Sequence, residues 1–182
     1  MSLSKTLQPS NVRPSSHVLR TLACVVGGSG LLALAAHVAV PFWPVPITLQ
    51  TLAVLGLGAM LGPAVAVGTL MAYLLEGLCG LPVFAHGSGF AVLAGPTGGY
   101  LLGYVPAAFA AGLAARRGWL AKPLSAFTAF LLADAVIFVL GVGWLAALFG
   151  WEKAVAVGFT PFLIGEALKL ALLTAATQMK RA

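Results

Sequence analysis

A chain of 182 residues with 60% hydrophobic and 8% charged residues, at a mean hydropathy of +1.03, is too apolar for a water-soluble domain; in such domains about a quarter of the residues are charged. Its formal charge of +6 does not point to nucleic acid, because the cations sit at breaks between apolar runs and form no patch interleaved with aromatics. One all-α, polytopic domain covered by membrane lipid is expected.

Residues 1–17 are Ser- and Pro-rich and read as a flexible cytoplasmic tail, with residues 18–182 forming a six-helix transmembrane domain. The apolar run that opens this domain is too long for the h-region of a signal peptide and further spans follow, so it is read as a retained helix. The first segment covers about residues 18–40 and stops at Pro41, Pro44 and Pro46, which cannot continue a helix. The second, about 48–61, is short for a span of about 20 residues. Gly62-Pro63 separates it from the third, about 64–78. A Gly-rich connection, 79–96, leads to the fourth segment at about 97–115. The fifth covers about 123–149 and the sixth about 160–179, with 150–158 as a connection.

An even number of spans puts both termini on one side. Eight of the ten Lys and Arg residues then fall on that side, which marks it as cytoplasmic. Trp43, Trp119, Trp144 and Trp151 lie near predicted helix ends, where interfacial anchors belong. Cys24 and Cys79 lack CxxC spacing and read as buried free thiols.

Glu166 and Lys169 lie three residues apart inside the sixth apolar segment, on one helical face. A charge at the bilayer centre costs about 2.5–3.5 kcal/mol on insertion scales. The pair is therefore expected to face a polar cavity and to serve a ligand, the plainer reading being a salt bridge that pins two helices. Asp134, midway along the fifth segment, reads as a ligand contact, a proton-relay carboxylate or an acceptor for neighbouring helices. Glu76 reads as structural. Thr48 fits a helix N-cap, but capping does not explain Gln50 and Thr51 beside it. Phe42, Trp43, Tyr73, Phe84 and Tyr100 gather at the same predicted end of the bundle.

Enzyme chemistry is not supported. His86-Gly87-Ser88-Gly89 lacks the GxSxG spacing of a hydrolase elbow, and Gly95-Pro96-Thr97-Gly98-Gly99 has no following lysine to make a phosphate loop. Three scattered histidines and few acids do not suggest a metal site. In the first helix, Ser29, Ala33, Ala35 and Ala39 form small-xxx-small pairs, read either as internal packing or as a docking face for a partner helix.

Four motifs then occur in order: Val45-Pro46-Ile47-Thr48-Leu49-Gln50-Thr51; Gly80-Leu81-Pro82-Val83-Phe84; Gly95-Pro96-Thr97-Gly98-Gly99-Tyr100; and Pro161-Phe162-x-x-Gly165-Glu166-x-x-Lys169. Together, over about residues 20–180, they resemble the BioY family, biotin-binding S components of energy-coupling factor (ECF) transporters. The resemblance implies a six-helix protein of the cytoplasmic membrane that captures biotin from outside, with the 79–96 segment closing over the ligand. It implies a transmembrane coupling subunit and cytoplasmic ATPase subunits as partners, and no cofactor; a homo-oligomer is compatible with it. Thr48, Gln50, Thr51, Tyr73, Phe84, His86, Tyr100, Asp134, Glu166 and Lys169 are the expected ligand residues, and Ser29, Ala33, Ala35 and Ala39, from their small-residue spacing, the expected docking residues. Two positions depart from the family's pattern: its sixth-helix acid is usually Asp where this chain has Glu166, and His86 stands where smaller or amide residues are common. A self-contained ion-coupled transporter, with Asp134, Glu166 and Lys169 as a proton relay, is the alternative.

Overall fold

The computed structural model describes residues 16–179, so most of the expected N-terminal tail and the final Lys180 and Arg181 lie outside the described residues. Helix α1 (Ser16–His37) leads into two short antiparallel strands, β1 (Ala39–Val40) and β2 (Ile47–Thr48), paired Ala39 with Thr48 and Val40 with Ile47. Helices α2 (Gln50–Leu61) and α3 (Pro63–Leu78) follow, then the short α4 (Phe90–Ala94), α5 (Gly98–Arg116), α6 (Pro123–Phe149), α7 (Trp151–Gly158) and α8 (Leu163–Met179).

The breaks follow from backbone chemistry. The proline-rich stretch after α1 lacks N–H donors and is accommodated as the loop of the small hairpin. Gly62 holds φ +77° between α2 and α3, a conformation that suits glycine, and Pro63 starts the next helix, where a missing N–H costs nothing. Gly150 at φ +84° ends α6 in the same way.

Among the described residues, four apolar stretches are long enough to cross a bilayer: Ser16–His37, Gly98–Arg116, Pro123–Phe149 and Trp151–Met179. Helices α2 and α3, at 12 and 16 residues, are shorter; they reach about 18 and 24 Å against a hydrocarbon core of about 30 Å. Large side chains such as Leu34, Met60, Leu132, Val139 and Ile164 are exposed around the bundle, as a lipid-covered surface requires.

Helix α5 is the central post, packed against α6, α2 and α3. Its small residues permit that closeness: a side chain at Gly112 would strike the backbone of Pro63, and one at Gly103 would press on the backbone of Ile137. In lipid, where apolar burial gives helices little reason to associate, such backbone approach is a main source of cohesion. Helix α1 packs on the outside against α3 and α2 through Gly28, Ser29, Leu32, Ala35 and Ala36. Ser29 Oγ donates to Glu76 Oε1 at 2.9 Å, which gives Glu76 a structural role.

Four expectations are corrected. The first helix ends at His37, not near Val40, because the chain turns into β1 ahead of the prolines. The 150–158 connection is the helix α7, which runs on through a 3₁₀ turn, Thr160–Phe162, into α8. Glycines at both ends and a Glu-Lys pair suggested a loop, but Gly150 only breaks α6, and Glu152 suits the positive end of a new helix. Neither cysteine is fully buried: Cys79 is exposed at the end of α3 and Cys24 is half-buried on α1. Trp144 lies within α6, and its indole N–H donates to Gly95 O at 2.9 Å, tying α6 to the connection before α5.

Candidate ligand-binding site

The polar centre of the molecule is built on two helices. On α8, Glu166 and Lys169 face inward, 5% and 9% exposed, with Lys169 Nζ 2.7 Å from Glu166 Oε1. The ammonium also donates to Thr48 O and, at 3.0 Å, to Thr51 Oγ1, while Thr51 Oγ1 donates to Glu166 Oε2 at 2.7 Å. A buried ion pair is tolerable only when its remaining donors and acceptors are met. Here the start of α2 meets them.

A second hydrogen-bonded group adjoins the first. Thr48 Oγ1 accepts from the Gln50 backbone N–H at 3.2 Å, so it acts much as a cap one residue ahead of the helix boundary. Gln50 Nε2 donates to Tyr73 OH at 2.7 Å, and that hydroxyl donates in turn to Val83 O at 3.0 Å. Tyr104 OH approaches Gln50 Oε1 at 3.5 Å. This network links α2, α3, α5 and the segment that follows α3.

That segment forms a lid. Phe84 is buried edge-on against Tyr73, ring centroids 5.4 Å apart, and its ring lies where any side chain at Gly77 would have to go. Gly89 N–H donates to Gly77 O at 2.7 Å, and Gly87 and Gly89 both take positive φ. The lid therefore closes back onto α3 because Gly77 leaves room for the Phe84 ring and glycine at 87 and 89 permits the positive φ of the turn.

Beneath the lid a cavity is walled by Val45, Pro46, Thr48, Gln50 and Thr51 on one side, by Phe84, Ala85, His86 and Val92 from the lid and α4, by Thr97 just before α5 and Tyr100, Leu101 and Tyr104 within it, and by Phe138, Phe162 and Glu166. Tyr100 stacks on Phe162 at 6.3 Å, meets Phe138 edge-on at 5.9 Å, and donates to Gly158 O at 2.7 Å. The free space is about 40 Å³, room for water but not for a bicyclic molecule unless the lid or a wall moves. At the outer surface, Lys153 Nζ lies 5.0 Å from the Phe149 ring centroid and 5.8 Å from that of Trp43.

Seven of the ten expected ligand residues thus line one cavity: Thr48, Gln50, Thr51, Phe84, His86, Tyr100 and Glu166. Tyr73 and Lys169 stand directly behind the wall, each bonded to a residue in it. Asp134 is not in this wall; it opens into a separate groove between α6, α7 and α8. Position along the helix set its depth correctly but could not say which arc of α6 faces the cavity. Tyr104, Phe138 and Phe162 were missed. Tyr104 follows Tyr100 by four residues and Phe162 precedes Glu166 by four, so helical spacing offered a signal for both.

The four docking residues do not form one outward face. Ser29 and Ala35 are buried against the chain's own helices, Ala33 is half-buried and Ala39 is exposed in β1. The outward arc of α1 instead presents Ala23, Gly27 and Gly30, and a side chain at either glycine would meet nothing within 4 Å. Spacing alone identified small pairs but not the arc that α3 and α2 occupy.

Comparison with known proteins places the chain. The BioY family model matches residues 5–182. The chain is 37% identical over 142 residues to a probable biotin transporter BioY of Pyrococcus horikoshii, covering 78% of this chain and 83% of that protein. It is 35% identical to the biotin transporter BioY2 of Lactococcus lactis, covering 86% and 87%. The biotin transporter BioY of Thermotoga maritima is 37% identical over 148 residues, covering 78% and 84%. The fold matches the crystal structure of the S-component for biotin from an ECF-type ABC transporter with a TM-score of 0.75 at 23% identity, covering 93% of this chain and 94% of that one. With the matched family, the multi-pass fold and the buried carboxylate–ammonium pair in agreement, the chain belongs to the BioY family.

Proposed function

We propose that this protein captures biotin at the outer face of the cytoplasmic membrane and carries it inward as the S component of an ECF-type transporter. The observation that carries this reading is the Glu166–Lys169–Thr51 cluster, set at the base of a cavity otherwise lined largely by aromatic and apolar side chains. Biotin's ureido ring has two N–H donors and one carbonyl acceptor. Glu166 is the acceptor for an N–H, and Gln50 and Tyr104 offer donors toward the carbonyl. Tyr100, Phe84, Phe138 and Phe162 cover the apolar thioether ring, and the valerate carboxylate points outward past His86.

The work is binding, with no bond made or broken. Because the free space is small, the 85–94 portion of the lid lifts to make room for the ring. Phe84, held against Gly77 and Tyr73, is the fixed end of that movement. The coupling subunit and the ATPase subunits supply the energy. A proton relay through Asp134, Glu166 and Lys169 is less well supported: Glu166 and Lys169 hold each other, and no hydrogen bond joins either to Asp134 among the described residues.

In this reading both termini are cytoplasmic, on the same side as the exposed Arg116, Arg117 and Lys122. Gln178 Nε2 donates to Leu120 O at 3.2 Å, which ties the end of α8 to that basic loop. The coupling subunit docks on the outward arc of α1 at Ala23, Gly27 and Gly30, with Ala33 at its margin.

Three outcomes are expected. Lys169→Ala weakens biotin binding by more than about 2 kcal/mol, roughly 30-fold by calorimetric titration, because Glu166 is left buried without its cation; near-normal affinity in the folded variant reduces the pair to a helix staple. Arg117→Cys reacts with a membrane-impermeant thiol reagent only after the cytoplasmic side is opened, and labelling of intact cells contradicts the orientation. Gly27→Trp keeps biotin binding but loses co-purification with the coupling subunit; if association survives, α1 faces lipid alone.

A further inference from the structure

The groove that holds Asp134 has a cavity volume of about 640 Å³, within the range typical of small-molecule sites. Its sides are apolar, including Leu131, Val139, Leu163 and Leu170, and it is open laterally, with Val139 at its rim 71% exposed. Asp134 lies midway along it on α6, only 4% exposed. Its Oδ1 is sealed from solvent without a donor, and no hydrogen bond reaches this carboxyl among the described residues. The other acids within the helices differ: buried Glu166 holds Lys169 and Thr51, and half-buried Glu76 accepts from Ser29. An unmet buried carboxyl inside a membrane is costly and calls for a partner.

Two further features say what kind of partner. The groove and the biotin cavity share two wall residues, Phe138 and Glu166. Phe138 is held there by edge-on contacts with Tyr100, Phe159 and Phe162 at 5.9, 5.6 and 5.8 Å. Outward, the groove follows α6 from Asp134 past Gly143 to Trp151, about 14 Å along the helix from Asp134 to Gly143. There it meets the surface cleft that contains Lys153. From Asp134 to this mouth the groove therefore presents an acceptor, apolar sides and, in the cleft, Lys153 beside Glu152.

That order is complementary to a molecule with N–H donors on a compact ring and a carboxylate at the end of a chain. We propose that the groove is a second compartment of the ligand site, open sideways to the outer half of the bilayer. In it Asp134 accepts an N–H of the ureido ring, and the ligand passes to the main cavity when Phe138 swings aside while Glu166 stays in its ion pair. The inference rests on the biotin reading and deepens it by adding a route. Asp134 is a positioning group on that route and not part of the final site.

The test uses the full chain in nanodiscs, with association and dissociation of biotin followed by stopped flow. Val139→Trp narrows the groove, and Leu132→Trp makes the same kind of change at another lipid-facing position of α6, 63% exposed and outside the groove. A narrowed route slows entry and exit together, so Val139→Trp is expected to lower both rates about tenfold and leave Kd within twofold, by detailed balance. Leu132→Trp leaves both rates unchanged. Asp134→Leu removes the acceptor and slows association at least fivefold; replacing an unpaired buried carboxyl with an apolar group does not threaten folding, and thermal unfolding checks that it has not. Wild-type rates in Val139→Trp overturn the proposal and leave the groove to lipid tails. A weaker Kd from faster dissociation alone also overturns it, because the tryptophan then acts on the cavity wall. Failure of the unaltered protein to bind biotin would instead remove the ligand reading, a result distinct from either.

Discussion

The buried ion pair of Glu166 with Lys169 is the interaction on which the rest of this structure depends. Each charge alone would be untenable inside a bundle this apolar, and together they remain costly unless every donor is placed. Lys169 places its donors on Glu166, Thr48 O and Thr51 Oγ1, so α8 cannot keep its position unless the start of α2 keeps its own. The hairpin of β1 and β2 fixes that start, since Thr48 is both a strand residue and an acceptor for the ammonium. From there the order extends through Gln50 to Tyr73 and Val83, the root of the lid.

Around this centre the molecule divides into a close-packed frame and a cover. The frame is α5 with α2, α3 and α6, packed through glycine and alanine so closely that added side chains at Gly58, Gly103 or Gly112 would meet neighbouring backbone. The cover is the Gly-rich segment before α5, held at Phe84 and at the Trp144–Gly95 hydrogen bond. A close-packed frame and a cover fastened at two points suit a protein that must hold its ligand and still admit it.

Much of this was legible in the chain. The spacing of Glu166 and Lys169 placed them on one face, and the polar residues beyond a simple cap at Thr48 placed Gln50 and Thr51 in the same site. What escaped had a common cause. Periodicity tells which residues share a face but not which face meets a neighbour, so Asp134 was assigned to the cavity when its arc of α6 opens into the groove. For the same reason Ser29 and Ala35 were read as a docking face, although α1 turns them inward. Helix α7 was missed because glycine marks both a loop and the joint between two helices, and only tertiary packing of Ala154 and Gly158 decides between them.

The central claim is that the polar residues around Glu166 recognise the ureido ring of biotin. Its most direct test is a calorimetric titration of the purified protein with biotin and with biotin methylated at both ureido nitrogens. The account predicts saturable one-to-one binding of biotin and a loss of about 100-fold or more for the methylated compound, because a site built to accept N–H donors is left with buried acceptors unpaired. Equal affinity for the two compounds, or no saturable binding of biotin, would contradict it.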